Sequence, residues 1–399
     1  MKNSVACCYL THNHSKIMDQ VLDRICLDYE KHGIDIYIYD SSTNDETKDV
    51  VSKYNKQGFN HLYYIDVRFI TSADKKYLYV IQGNGLLKHY DYIWPTKDRC
   101  FFRGNALDDI CFNIEKDCDV VFAVDEEDRC QLYVPNIKDE YTDAVEFFEH
   151  YGQLSTNWEA LIRRTSTMLD PINWDDYISK YHLGKDNNFN QTISLYARLA
   201  EMNDIKIRVI HCASNDRLES SFSTSGWKNK VYDIWVDRWI PAIYGLPSIY
   251  DKHKASIIKA QTNLPVIMGT TDAFIEQKQS GALTIQRLEA IRSLWNMLST
   301  VPIEYAEMIL NNNEKSMYQL VADSFVLAFA QKDYEKAYNI FSQNIWLKNA
   351  IPMQDYNDLE LCFNIFKSEI NQKGYSLLFE GTYSIDSLLE KIRSLKRKH

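Results

Sequence analysis

Along the first quarter of the chain, short apolar and aromatic runs alternate with longer stretches whose apolar residues recur at helical spacing. Val5 to Leu10, Ile34 to Tyr39, Leu62 to Val67 and Tyr92 to Pro95 have strand length and strand composition, and polar turn formers close them. Between them, Lys16 to His32 puts Ile17, Val21, Leu22, Ile25 and Cys26 on one helical face. Further helices are expected near Asp45 to Tyr54 and Ala73 to His89, the latter interrupted by Gly83 and Gly85. This alternation implies an α/β fold with a mostly parallel sheet built from right-handed crossovers. A helix from Asn105 to Glu115 then leads to a fifth strand at Cys118 to Val124, and a helix ending near Met202 leads to another at Ile205 to Ile210.

From Asp251 onward the pattern is helical only, with apolar faces at Ile285 to Leu298, Glu304 to Leu310, Met317 to Ala330, Asp333 to Ser342, Leu359 to Ile370 and Ile385 to Leu395. Leu246 to Tyr250 is the natural boundary, so the expected domains are residues 1–248, α/β, and 249–399, all-α. A chain of 399 residues also exceeds what one core supports, roughly 250 to 300. The helical part carries no catalytic set; it can hold a protein partner or a second copy of the chain, or buttress the first domain.

Composition narrows the function. With 45% hydrophobic and 25% charged residues the chain reads as soluble and globular, and a net charge of -10 argues against nucleic acid as partner. Nine scattered cysteines without paired spacing point to reduced thiols, and no apolar run approaches the roughly 20 residues of a membrane span, so the expected compartment is the cytoplasm. The basic tail Lys391 to Lys398 is read as a solvated end, with weak contact to an anionic membrane as the sharper option.

The candidate chemistry gathers at strand ends. Gly33 to Thr47 is a strand closing in Asp40 and the turn Ser41-Ser42-Thr43-Asn44-Asp45, which places Asp40 where open α/β sheets bind ligands. The first strand ends in Thr11-His12-Asn13-His14; two histidines invite a metal, but with no third ligand nearby a polar loop is the plainer reading.

These motifs resemble the nucleotide-binding half of inverting glycosyltransferases with the GT-A fold. Thr11 and Asn13 match that family's first strand end, and Asp40, Ser42, Thr43, Asp45 and Thr47 match its Asp-x-Ser-Thr-x-Asp-x-Thr turn. The resemblance implies a UDP-sugar donor, with Thr11, Asn13, Asp40 and Ser42 at the nucleotide and Asp40 at the base. It also implies a divalent metal, Mn²⁺ or Mg²⁺, on paired carboxylates after the fourth strand. Here the chain departs from the family: Lys97-Asp98-Arg99 supplies one carboxylate between two cations. Asp98 is the first candidate ligand, with Lys97 and Arg99 assisting at the diphosphate; Asp125 and Glu127, in the acidic turn after the fifth strand, are the alternative. Asp186, ahead of a helix, fits the general base of an inverting enzyme and equally fits a helix cap. The chain is further similar to bacterial transferases that extend glycans on serine-rich adhesins, which implies a glucose or galactose donor and a glycan or glycoprotein acceptor. The rival reading is a non-catalytic protein that keeps the fold and binds other proteins through its helices.

Overall fold

The computed structural model describes residues 3–70, 72–83, 87–125, 138–184, 189–212, 216–217 and 228–311. The chain divides into two compact units, residues 1–225 with 233–260, and residues 226–232 with 261–399.

The first unit carries the expected α/β sheet. Its elements open with β1 (Val5–Thr11), α1 (Ser15–His32), β2 (Ile34–Asp40), α2 (Glu46–Lys56), β3 (Leu62–Asp66), α3 (Ala73–Ile81), β4 (Tyr92–Lys97), β5 (Cys100–Phe101), α4 (Asn105–Ile114) and β6 (Val120–Asp125). Later strands are β7 (Glu140–Tyr141), β8 (Leu161–Arg164) and β9 (Ile207–Cys212). The main sheet runs β3-β2-β1-β4-β8-β6-β9-β7. All its pairings are parallel except those of β8 with β4 and β6, and of β7 with β9.

Burial explains why the first strands are readable as unbroken apolar runs. Every residue of β1 is buried, as expected of a central parallel strand covered on both faces. On one face α1 contributes Met18, Val21, Leu22, Ile25, Cys26 and Tyr29, and Tyr29 stacks on Trp94 of β4 with ring centroids 6.0 Å apart. Gly33 ends α1 in the left-handed region at φ 68°, where its N–H closes on the Glu30 carbonyl at 3.0 Å; a side chain would strain this turn into β2. Six cysteines, Cys7, Cys8, Cys26, Cys100, Cys111 and Cys118, are buried free thiols.

Helix α3 and strand β8 differ from the expected pattern, and the short strands β5 and β7 are additions to it. Helix α3 stops at Ile81 rather than reaching His89, because Gly83 adopts φ 74° and turns the chain away. Strand β8 has no counterpart among the expected strands; it slots antiparallel between β4 and β6, pairing Ile93 with Arg163 and Val121 with Ile162.

The described part of the second unit is helical, with helices at Thr271–Gln279, Ile285–Ile291, Trp295–Leu298 and Ile303–Asn311. Phe274 packs against Trp295 at 5.3 Å, and the Trp295 indole donates to the Val301 carbonyl at 2.7 Å. The expected helices from Met317 onward and the basic tail lie outside the described residues. No described helix is long and apolar enough to cross a membrane.

Candidate functional site

In-register pairing of β1 with β2 and β4 aligns three strand ends, with Thr11 opposite Asp40 and Leu10 opposite Lys97. The loops that follow therefore meet at one edge of the sheet. Thr11 Oγ1 donates to Asp98 Oδ2 at 3.1 Å, and His14 Nδ1 donates to the same oxygen at 2.6 Å. Arg99 Nε stands 3.8 Å from the other oxygen, Oδ1. Asp98 is buried beneath these groups. Its carboxylate holds the His14 imidazole above its ordinary pKa by hydrogen bonding, against an opposing effect of burial.

Asp40 is fully buried, and both its oxygens are engaged. Oδ1 accepts from the Ser42 backbone N–H at 2.8 Å and from the Ser42 hydroxyl, and Oδ2 accepts from the Tyr64 hydroxyl at 3.1 Å. Asp40 thus folds its own turn and fixes Tyr64 at the rim. Above it, Asn13 takes a left-handed backbone conformation, φ 56°, which asparagine tolerates better than most residues. The Asn13 side-chain oxygen accepts from Thr43 N at 2.9 Å and Oγ1 at 3.2 Å, and its backbone N–H donates to Ser42 Oγ at 2.7 Å. His12 Nδ1 donates to the Ser41 carbonyl at 2.9 Å. Thr11, Asn13, Asp40, Ser42 and Asp98 are in this way brought into one hydrogen-bonded layer.

The layer has a cation beneath it that the sequence motifs do not include. Lys76 of α3 is buried, and its Nζ donates to the Thr11 carbonyl at 2.6 Å and to Ser41 Oγ at 3.0 Å. Burial pushes its pKa down to about 8 while Asp98 and Asp40 pull the other way. The available signal is a lysine on the same helical face as Val80, in the apolar stripe of α3.

Lys97 is engaged with Glu159, Nζ to Oε2 at 2.6 Å, so its charge is shared with a buried carboxylate. Asp186 and Glu127 lie outside the described residues, as does the side chain of Asp125.

The donor set at Asp98 does not fit a divalent ion. Mg²⁺ is held through one or two carboxylates whose oxygens are free to bind it, with waters and substrate phosphates completing its shell. Here one oxygen of a single carboxylate already accepts two hydrogen bonds and the other faces a guanidinium. Among the described residues no group of three or more His, Cys, Asp or Glu side chains is placed to hold a metal.

Together these strands and loops define a Rossmann-like α/β domain with a cluster of polar side chains at the carboxyl ends of β1, β2 and β4. No family model and no curated protein matches the chain. Among solved structures it is similar to TarS 1-349 from S. aureus, at 14% identity and TM-score 0.43 over 79% of this chain and 90% of that one. The same protein in complex with UDP-GlcNAc matches at 13% identity and TM-score 0.43, over the same shares of the two chains. The mannosyltransferase PcManGT from Pyrobaculum calidifontis, in complex with GDP-Man and Mn²⁺, matches at 10% identity and TM-score 0.42, over 86% of this chain and 87% of that chain.

Proposed function

We propose that this chain is an inverting glycosyltransferase of the GT-A type that moves a hexose from a UDP-sugar, glucose or galactose, to a glycan or glycoprotein acceptor. The observation that carries the reading is the join between Thr11 and Asp98, 3.1 Å apart, in a strand register that also sets Thr11 opposite Asp40. Three loops from three strand ends then adjoin one another, and open α/β sheets bind nucleotides at such strand ends.

In the proposed mechanism the rim made by Asn13, Ser42, Thr43 and Tyr64 receives the nucleoside, with Asp40 holding that rim in shape. The diphosphate lies toward Asp98. Transfer is a single displacement: an acceptor hydroxyl attacks the anomeric carbon, its proton passes to Asp186, and the nucleoside diphosphate departs from the opposite face. The leaving group develops negative charge, which fixed cations at these strand ends stabilise because they need no reorganisation as the bond breaks.

Thermal unfolding in the presence of UDP, GDP, ADP and CDP tests the reading, since a ligand that binds only the native state raises the melting temperature. UDP is expected to raise it most. Should none of the four move the transition, the reading fails.

A further inference from the structure

We propose that Arg99 and His14, held in place by Asp98, bind the donor diphosphate without a divalent cation. The inference rests on the nucleotide-sugar reading above and names the groups that act within it.

The geometry at Asp98 is inverted relative to a metal site. The carboxylate lies underneath, with its side chain 9% exposed, while the two side chains around it are more open, His14 at 40% and Arg99 at 33%. Asp98 gives one oxygen to Thr11 and His14 and turns the other toward Arg99. Lys76 adds a further positive charge close enough to act on His14. The charged groups facing His14 are thus Asp98, Arg99 and Lys76, and Lys76 in turn faces Asp40.

A metal ion arriving here would meet a guanidinium beside one carboxylate oxygen and, on the other, the hydrogen bonds from Thr11 and His14. An anionic diphosphate would meet the reverse: a guanidinium and an imidazole, both partly open to solvent and held by the same buried anion. Arginine in particular matches the geometry of phosphate oxygens, and charge-assisted hydrogen bonds of this kind are the strong ones. Lys97 is not part of the set because it is committed to Glu159. The single carboxylate of the Lys97-Asp98-Arg99 segment is then an orienting group for cations.

Calorimetric titration of the full chain with UDP, in excess EDTA and separately with Mn²⁺, decides the matter. Equal affinity in the two conditions, within about threefold, is expected. His14→Gln and Arg99→Gln should each weaken UDP binding in EDTA by roughly 10- to 100-fold, the loss of one charged hydrogen bond, with the unfolding midpoint unchanged. Arg99→Lys should recover part of the affinity. Binding that needs Mn²⁺, or binding in EDTA that neither substitution alters, overturns the inference and leaves the nucleotide reading standing. Absence of UDP binding in both conditions removes that reading and the inference together. If His14→Gln does not fold, Arg99→Gln on its more open surface position carries the test, alongside the wild-type metal comparison.

Discussion

The ammonium of Lys76 sits 2.6 Å from the carbonyl oxygen of Thr11, so a charge borne by α3 fastens the carboxyl end of β1 from below. A buried lysine is an unfavourable way to hold a loop, since desolvation disfavours its charged form. Its presence beneath Thr11, Ser41, Asp40 and Asp98 argues that the charge serves the site more than the fold.

The sign of its pH dependence follows from that burial. The Lys76 pKa is lowered from 10.5 to about 8. Between those values the unfolded chain binds more protons at this residue than the folded chain, so stability rises with pH there. Below pH 8 both states are charged and the desolvation cost is fully present. Denaturant unfolding of wild type and Lys76→Met at pH 7 and 9.5 should show the wild type gaining about 2 kcal/mol relative to the variant. At pH 7 the variant should be at least as stable as wild type while binding UDP more weakly. A difference between the two proteins that does not change with pH would count against this assignment.

Asp40→Ala should act on the fold of the site. It leaves the Ser42 N–H, the Ser42 hydroxyl and the Tyr64 hydroxyl without their acceptor. Unpaired buried donors cost about 1–3 kcal/mol. Urea midpoints measure the loss, and the Ser41 to Thr43 turn should gain protease sensitivity with it.

Asp186→Asn separates a catalytic base from a structural cap. Turnover should fall by about 10² to 10⁴ if the proton passes to this carboxylate. A cap alone would cost about 1 kcal/mol of stability and leave the rate nearly intact. Initial-rate measurements at saturating UDP-sugar, set beside thermal unfolding, tell the outcomes apart.

Gly33→Ala probes the turn that delivers β2. At φ 68° an alanine incurs roughly 1–2 kcal/mol for the left-handed conformation, and no neighbouring atom lies within 4 Å to clash with the new methyl group. Stability should drop by that amount with UDP affinity unchanged.

The first four strands are legible because each is a buried apolar run closed by residues that prefer turns, so composition and boundary agree. Strand β8 is not legible. Leu161-Ile162-Arg163-Arg164 is short and half arginine, yet Arg163 is buried, donating to Ser194 Oγ at 3.0 Å and the Gln191 carbonyl at 2.8 Å. Local pattern cannot announce a strand whose buried arginine is bonded to Gln191 and Ser194, and whose second arginine is bonded to Asp117, far away in the chain. The site divides along the same line. Thr11, Asp40 and Asp98 follow from where strands end, whereas Lys76 reaches the layer from a helix and Glu159 claims Lys97 from a distant segment, contacts that only tertiary folding creates.

Strand β8 also bears on how the protein is made. Ribosomal synthesis delivers β1 to β4 as a finished four-strand block well before Leu161 to Arg164 leaves the exit tunnel. Until then the β4 margin, with Tyr92 and Ile93, has no neighbour to cover its amide groups. The nascent chain therefore carries an open sheet border through more than sixty codons of translation, counted from Lys97 to Leu161, and that is where chaperone dependence or misassembly would concentrate.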